Sequence, residues 1–394
     1  VDIFNQESNI VITCNKRLAP YLEAEVIKLG ITPESVFQTG VIIKANGKTA
    51  IGLNLKLRCA SQILYSLAKA RVQTPQQLYD FVYSYSWENL IDVENYLSVT
   101  CNANTPSINN TMFLNVKVKD AIVDKMRKVF GRRPNSGPLL NGVVIHVYWK
   151  DDEAELFIDT SGETLAKHGY RKIPGKAPML EALAAATIYA SGWDGEKPFV
   201  NPMCGSGTLA IEAALMATNR YPGLFRKHYA FSHVKGFDPA YYDTVLAEIK
   251  DVVTDKSKRS IIATDISKDA IHVLKTNAEV AGVSHLLHVE KCDFADTPVP
   301  SEPGVVFINP EYGERLGEVQ ELETTYARIG DFLKQRCSGY RAFIFTGNLE
   351  LAKKIGLKAS RRIEFYNAKI DCRLLTYELY AGTKRNFNEQ LPIA

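Results

Sequence analysis

Apolar positions along the chain change their period twice, and the changes mark out three stretches. In the first, residues 9–14 (NIVITC) alternate as a half-buried strand does, and residues 20–29 place apolar side chains at helical spacing before a closing Gly30. Runs at 36–44 and 48–53 read as two further strands, and residues 55–70, with Leu57, Ile63, Leu64 and Leu67 apolar, read as an amphipathic helix. The order strand, helix, strand, strand, helix is most of a split βαβ unit, which places a ferredoxin-like domain at 1–73. The second stretch, 74–162, opens on Thr74-Pro75, a capping residue followed by the proline that a first helical position tolerates. That helix carries Leu78, Phe81 and Val82. A strand at 96–101, a polar loop reaching Asn110, a helix at 118–130 and strands at 142–149 and 155–159 follow. On the 118–130 helix Ile122, Met126, Val129 and Phe130 share one face, which predicts that face to be buried.

From 163 to 385 strands alternate with long helical stretches, the pattern of a parallel sheet with crossover connections, and 386–394 is a polar tail. Strands are predicted at 199–200, 260–264, 286–290, 305–308 and 342–345, with helices starting near Ser206, Lys268 and Leu322. The separation of Gly207 from Asp265 implies an inserted segment at 219–259, whose Arg220, Arg226, Lys227 and His228 are candidates to face a substrate. The fold class expected is α/β: a doubly wound, Rossmann-like domain behind an α+β N-terminal module.

The chain of 394 residues is 46% hydrophobic and 23% charged, ordinary for a soluble protein of two or three domains. No apolar run approaches the ~20 residues needed to cross a bilayer, and the sequence at Val1 is not that of a secretory leader. Cys14, Cys59, Cys101, Cys204, Cys292, Cys337 and Cys372 are scattered, with no pair at C-x-x-C spacing. Neither a disulfide framework nor a metal site is indicated, and a reducing, cytoplasmic setting is expected. A net charge of +3 does not by itself point to nucleic acid. Its distribution changes the picture: Lys117, Lys119, Lys125, Arg127, Lys128, Arg132 and Arg133 fall in one segment opposed only by Asp120 and Asp124. Charge alone leaves this as either a solvated helix face or a phosphate-binding one.

Candidate chemistry collects at the ends of the predicted parallel strands. Asn201-Pro202-Met203-Cys204-Gly205-Ser206-Gly207-Thr208 joins a strand to a helix, and such a glycine-rich turn lets backbone amides approach a ligand. Alone it fits a dinucleotide site, a methyl-donor site or a tight turn. The next strand ends in Asp265, whose carboxylate can accept both ribose hydroxyls of a nucleoside or can serve, with Ser267, as a helix cap. The strand after that leads into Cys292-Asp293-Phe294, an acceptor for an adenine amino group and a ring to lie against it. A fourth strand, 305–308, ends in Asn309-Pro310-Glu311-Tyr312. A dehydrogenase has no use for that tetrapeptide, whereas methyl transfer to an exocyclic amine does. Oxygen acceptors on the amine's two hydrogens favour the tetrahedral nitrogen that attacks a sulfonium methyl, and an aromatic ring can stack on the base. Cys204 has no histidine in sequence context to activate it, and a small packing role suits it better.

In order, CGSGT, TDIS, CDF and NPEYGERLG, preceded by TSGETLAKHGYR at 160–171 and APMLEALAAA at 177–186, resemble the THUMP-domain guanine-N2 RNA methyltransferases, closest to the bacterial 23S rRNA enzymes. KVKDAIVDKM at 117–126 and GRRP at 131–134 extend the resemblance into the N-terminal third, over nearly the whole chain. The resemblance implies a Rossmann-like S-adenosylmethionine-dependent domain behind a ferredoxin-like plus THUMP module. It implies cofactor contacts from Pro178, Met179, Glu181, Asn201, Cys204, Gly205, Ser206, Gly207, Thr208, Asp265, Ile266, Asp293 and Phe294, and a grip on guanine N2 by Asn309, Pro310 and Tyr312. THUMP modules bind RNA, which turns the basic segment from Lys117 to Arg133, together with Arg171, into expected RNA contacts; the partner implied is ribosomal RNA, naked or in a precursor particle, with no membrane and no metal. Two positions depart from the family pattern: Asn201 stands where Asp is usual and Glu311 where Pro is usual. The first exchanges one oxygen acceptor for another. The second removes a stiffening ring from between the base-contacting residues, so Glu311 is expected to point outward or to pair with Arg315. The alternatives are a tRNA guanine-N2 or adenine-N6 enzyme, since the same tetrapeptide serves either amine, and an RNA-binding protein without turnover because of Glu311.

Overall fold

Two seven-stranded sheets carry the chain. The computed structural model describes residues 2–105, 110–175, 178–254, 260–313 and 319–380. One compact unit gathers Leu22–Ala166 with the chain before Lys16 and with Pro222–Asp251; the other holds Lys16–Tyr21, Lys167–Tyr221 and the chain from Val252 onward.

The first unit begins β1 (Ser8–Thr13), α1 (Ala19–Lys28), β2 (Ser35–Phe37), β3 (Gly40–Ala45), α2 (Gly47–Lys56), β4 (Gln62–Arg71), a full ferredoxin-like βαββαβ order. The expected strand at 48–53 lies inside α2, which Asn46 starts by accepting the Thr49 amide on its side-chain oxygen at 3.1 Å. The expected helix at 55–70 gives way to β4. That strand pairs with β1 on one side and β7 (Glu153–Asp159) on the other, and Ile63, Leu64 and Tyr65 are buried in succession. A strand buried on both faces presents an apolar run instead of alternation, so its period misleads.

The unit continues with α3 (Pro75–Ser84), β5 (Leu97–Asn104), α4 (Thr111–Phe130), β6 (Val143–Lys150) and β7. Thr74 caps α3 as its sequence predicts, accepting the Gln77 amide at 3.2 Å. The sheet order is β2-β3-β1-β4-β7-β6-β5, so the expected boundary near residue 73 interrupts no sheet: β4 and β7 hydrogen-bond across it. On α4, Ile122 and Met126 are buried as predicted, but Val129 and Phe130 are exposed. The helix outruns the elements it packs on, and the Phe130 ring meets the Lys235 ammonium at 5.6 Å. Pro222–Asp251, expected as a substrate-facing insertion of the last domain, packs within this first unit. Arg226 there is held by the carbonyls of Thr164 and Glu163 at 2.8 and 2.9 Å.

The second unit comprises α5 (Glu181–Ser191), β8 (Phe199–Pro202), α6 (Thr208–Ala217), β9 (Ile261–Asp265), α8 (Lys268–Val280), β10 (Leu287–Lys291), β11 (Val305–Ile308), α9 (Val319–Arg336), β12 (Arg341–Thr346), α10 (Leu349–Lys353), β13 (Arg361–Asn367) and β14 (Ile370–Glu378); α7 (Pro239–Asp251) belongs to the first. Its sheet runs β10-β9-β8-β11-β12-β14-β13, parallel from β10 to β12 and closed by an antiparallel hairpin that the sequence pattern did not announce. Phe199, Phe307 and Phe343 stack across β8, β11 and β12 with ring centroids 6.0 and 5.8 Å apart, which pins the register where the strand order reverses. From β8 the chain winds outward to β9 and β10, then returns to β11 on the other side of β8. In open α/β sheets ligands bind outside the strand ends at this reversal. Among the described residues, all seven cysteines are free, no acidic, histidine or cysteine cluster suits a metal, and no helix is long and apolar enough to cross a membrane.

Candidate active site

Because β10, β9, β8 and β11 are parallel neighbours, their four C-terminal ends lie in a row, and the four motifs lie on them. The β8 loop is built for close approach. Met203, Gly205 and Gly207 all have positive φ, at 54°, 54° and 78°, which turns successive backbone amides toward one side. A Cβ at Gly205 would meet nothing within 4 Å, whereas one at Gly207 would sit 2.4 Å from the Leu274 side chain. The loop is therefore open over Gly205 and tightly packed beneath Gly207. Asp265 ties it to the neighbouring tip: its two oxygens accept the amides of Gly205 and Ser267, each at 2.9 Å. A carboxylate offers about four lone-pair positions, so this anchoring leaves capacity for hydroxyl donors. The cap of α8 is Ser267, which accepts the Ala270 amide at 3.3 Å. Ile266, beside it, is 67% exposed, an apolar side chain left at a strand tip where a planar ring could rest.

Asp293 and Phe294 depart from expectation. Phe294 is buried in the core, edge-on to Phe332, and the Arg328 guanidinium lies over it at 4.8 Å. It cannot be the ring that lies against an adenine. Arg328 also bonds Asp293 at 2.8 Å, and the same oxygen accepts the Ala295 amide at 2.9 Å. Burial alone would raise the Asp293 carboxyl, but the Ala295 and Arg328 bonds outweigh it and hold the group below the usual carboxylate range. Arg328 sits mid-helix with nothing in its sequence neighbourhood to flag it.

Asn201 is fully buried at the end of β8. Its side-chain nitrogen donates to the Phe307 carbonyl on β11 at 2.8 Å, and its side-chain oxygen has no hydrogen-bond partner among the described residues. An orphaned buried acceptor beside an open loop fits a ligand that brings a donor. Cys204 is no nucleophile: burial, then Asp265, push its thiol far above the ordinary range, so it stays protonated. Thr208 is buried, within 3.2 Å of the Ser206 hydroxyl.

Arg171, expected to contact RNA, is instead largely buried against neighbouring elements. Its Nε donates to Glu181 at 3.1 Å and its Nη2 to the Met179 carbonyl at 2.8 Å and the Thr208 hydroxyl at 3.1 Å. It thereby ties Met179 and Glu181, at the start of α5, to the glycine loop; Pro178 stands beside them. The backbone amides of Lys172 and Ile173 bond the buried Asn277 of α8 at 2.9 and 3.0 Å, which holds the same strap from the other end. His168 is likewise buried, 2.7 Å from Glu212.

At the β11 tip Pro310 is buried and the Glu311 side chain is exposed. The fold uses the Glu311 main chain: its carbonyl accepts the Tyr326 hydroxyl at 3.1 Å, and the Tyr312 carbonyl accepts the Asn348 side chain at 3.0 Å. Tyr326 and Asn348, 15 and 36 residues from their partners, went unread in the sequence. Arg315, the partner expected for Glu311, lies outside the described residues. The Tyr312 hydroxyl donates to the Asn309 side-chain oxygen at 2.7 Å, and its ring packs at 6.4 Å from Phe345 and over Gly347, where a Cβ would come within 3.1 Å of it. Burial, then the nearby Cys372, push the phenol well up, so it remains a donor to Asn309.

In the first unit the basic helix is less uniformly bare than its sequence. Lys117 bonds Gln76 and lies over Tyr79 at 5.0 Å; Lys125 and Lys128 lie over Tyr83 at 5.9 and 6.0 Å. Arg127 bonds Asp124 at 2.7 Å, Lys119 pairs with Asp120 at 3.3 Å, Arg132 pairs with Glu94, and Arg133 is exposed. Tyr79 and Tyr83 stack at 6.0 Å along a surface groove of about 560 Å³ between α3 and α4.

The model of the RMKL-like methyltransferase domain matches residues 168–376, and that of the RlmL ferredoxin-like domain matches 9–64. The chain is 33% identical over 356 residues to a provisionally named RNA methyltransferase of Synechocystis, covering 90% of this chain and 93% of that one. It is 35% identical over 392 residues to the ribosomal RNA large subunit methyltransferase K/L of Syntrophotalea carbinolica, covering 97% of this chain and 55% of the relative. The chain thus spans about half the length of the K/L relatives it matches. Among solved structures, SMU.472, provisionally described as a methyltransferase and complexed with SAH, superposes with a TM-score of 0.86 at 28% identity, covering 96% of this chain and 99% of that one. A Listeria monocytogenes protein assigned from its sequence as an N6-adenine-specific DNA methylase gives 0.85 at 27%, covering 95% and 97%. With the glycine loop, the Asp265 tip and the Asn309 tip on adjacent parallel strands, these likenesses lead to one conclusion: the chain belongs to the RMKL-like methyltransferases.

Proposed function

We propose that the protein methylates the exocyclic N2 amine of a guanosine in 23S ribosomal RNA. The observation that carries this reading is the adjacency of β8 and β11, which puts Asn309 and Pro310 one strand away from the open glycine loop. Neighbouring strands lie ~4.8 Å apart, so a donor held by one tip and an amine held at the next are within reach of each other. When bound, S-adenosyl-L-methionine supplies an electrophilic methyl group on sulfur. The Asn309 side-chain oxygen and the Pro310 carbonyl accept the two amine hydrogens and draw the nitrogen lone pair out of conjugation with the ring. Tyr312 fixes the Asn309 amide by its hydroxyl and offers its ring to the base. No strong base is required, because the amine becomes acidic as it gains the methyl; orientation and preorganised dipoles carry the rate. A target within a helix has to be unpaired or flipped out to reach these groups.

The K/L relatives are named for large-subunit ribosomal RNA, which favours that substrate over tRNA. The basic face of α4, in the module we read as THUMP, would supply phosphate contacts from Lys117, Lys125 and Lys128, joined by Arg133 just past the helix end. A cytoplasmic setting goes with such a substrate. Incubation with methyl-labelled donor and separate rRNA and tRNA pools, followed by digestion to nucleosides, tests the reading. N2-methylguanosine from large-subunit RNA is expected; label in tRNA, or N6-methyladenosine from either pool, overturns it. A binding protein without turnover is the reading that Glu311 invites. Its exposed side chain and anchored carbonyl support tolerance, so Glu311→Pro is expected to change turnover by less than about threefold. A large gain at unchanged donor affinity would favour the non-catalytic reading.

A further inference from the structure

Arg171 has an unused donor where it is least expected. Its side chain is 13% exposed, its Nε and Nη2 are committed to Glu181, Met179 and Thr208, and its Nη1 is buried without a hydrogen-bond partner among the described residues. A buried guanidinium nitrogen without an acceptor is costly, and charged donors are satisfied most strongly by carboxylates. Glu181, itself 3% exposed, neutralises the cation and locks the planar fork, so that one edge alone is left to bind. The unfilled acceptor on Asn201 begins the same loop whose Thr208 Arg171 holds. One orphaned donor and one orphaned acceptor are complementary to the two ends of an α-amino acid zwitterion, whose carboxylate accepts and whose ammonium donates.

We propose that Arg171 Nη1 is the receptor for the carboxylate of the cofactor's methionine end, with Arg171 held in that role by Glu181. The inference rests on the cofactor, not on which base is methylated. It explains why an arginine that reads as surface charge is largely buried: its task is to recognise the amino-acid half of the donor, while the strand tips at Asp265 and Asp293 face the nucleoside half. Arg171 then discriminates adenosyl compounds that carry the amino acid from those that do not.

The test is calorimetric titration of the full chain with S-adenosylhomocysteine and with 5′-methylthioadenosine, which lacks the amino-acid end. For Arg171→Gln, S-adenosylhomocysteine affinity is expected to fall at least tenfold while methylthioadenosine affinity changes less than about twofold, and Arg171→Lys is expected to fall between wild type and Gln. An equal loss for both ligands would mean that Arg171 only braces the loop, and no loss for either would mean that Nη1 has no ligand; both overturn the proposal. Should Arg171→Gln not fold, the wild type decides by itself, through titration with decarboxylated S-adenosylhomocysteine. At least a tenfold weaker affinity than for the parent is expected, and a difference under twofold contradicts the assignment.

Discussion

The two sheets have the same number of strands and opposite consequences for chemistry. In the second, five strands run parallel, so every C-terminal tip falls on one edge and loops far apart in sequence converge there. In the first, β5 and β6 are the parallel pair and the others alternate in direction, so successive loops leave from opposite edges. Its candidate binding groups sit instead along one helix, α4, and just past its end. A parallel sheet gathers reactive groups to a point, whereas an antiparallel sheet with a covering helix spreads them over a surface.

That contrast predicts where substitutions act. Gly207→Val puts branched bulk where a Cβ already lies 2.4 Å from Leu274, at a φ of 78° that valine avoids. It is expected to destabilise the loop by about 2–4 kcal/mol and to lower S-adenosylhomocysteine affinity by about a hundredfold or more, measured by titration. Reversing charge on the helix acts on a surface and is milder. Lys125→Glu with Lys128→Glu is expected to weaken 23S RNA binding about tenfold in filter binding and to flatten its salt dependence, with donor affinity unchanged. Unchanged RNA affinity would return α4 to an ordinary solvated face. A pH effect in the first unit touches neither ligand. His146, buried on β6 and 2.8 Å from the Thr100 hydroxyl, has its pKa pushed down to about 4 by burial. The folded state therefore binds this proton less readily than the unfolded chain, and the stability present above about 6.5 is lost as pH falls toward 4, on the order of 3 kcal/mol at most. Asp159, pushed up to about 6 by burial against its bonds to Ser161, Gly162 and Gln62, drifts the other way over the same range. Urea unfolding of wild type against His146→Asn at a series of pH values isolates the histidine; parallel curves would show that it carries no such linkage.

What was legible in the sequence follows the same division. The β11 strand and its Asn309-Pro310-Glu311-Tyr312 tip, the glycine loop and Asp265 are local signals, each a few residues long at a strand end, and the structure puts them on neighbouring strands. The α2 and β4 segments were exchanged because burial on both faces erases the alternation that marks a strand, and a short helix capped by Asn46 carries little periodic signal. Arg171 and Phe294 misled for a different reason. Residue type suggested surface charge and a stacking ring, whereas long-range partners, Glu181 with Thr208 for one and Arg328 with Phe332 for the other, leave both largely buried. Tyr326 and Asn348, which hold the Glu311 and Tyr312 carbonyls, act through the main chain and leave no motif.

Everything turns on whether the Asn309 oxygen, held by the Tyr312 hydroxyl at 2.7 Å, meets the amine in the transition state and not the donor. Single-turnover methyl transfer by Asn309→Ala, with S-adenosylhomocysteine affinity measured in parallel, asks this directly. A rate lowered about 10²- to 10³-fold with donor affinity within threefold is the expected result. A rate within threefold of wild type, or donor binding that falls in proportion to the rate, would contradict it.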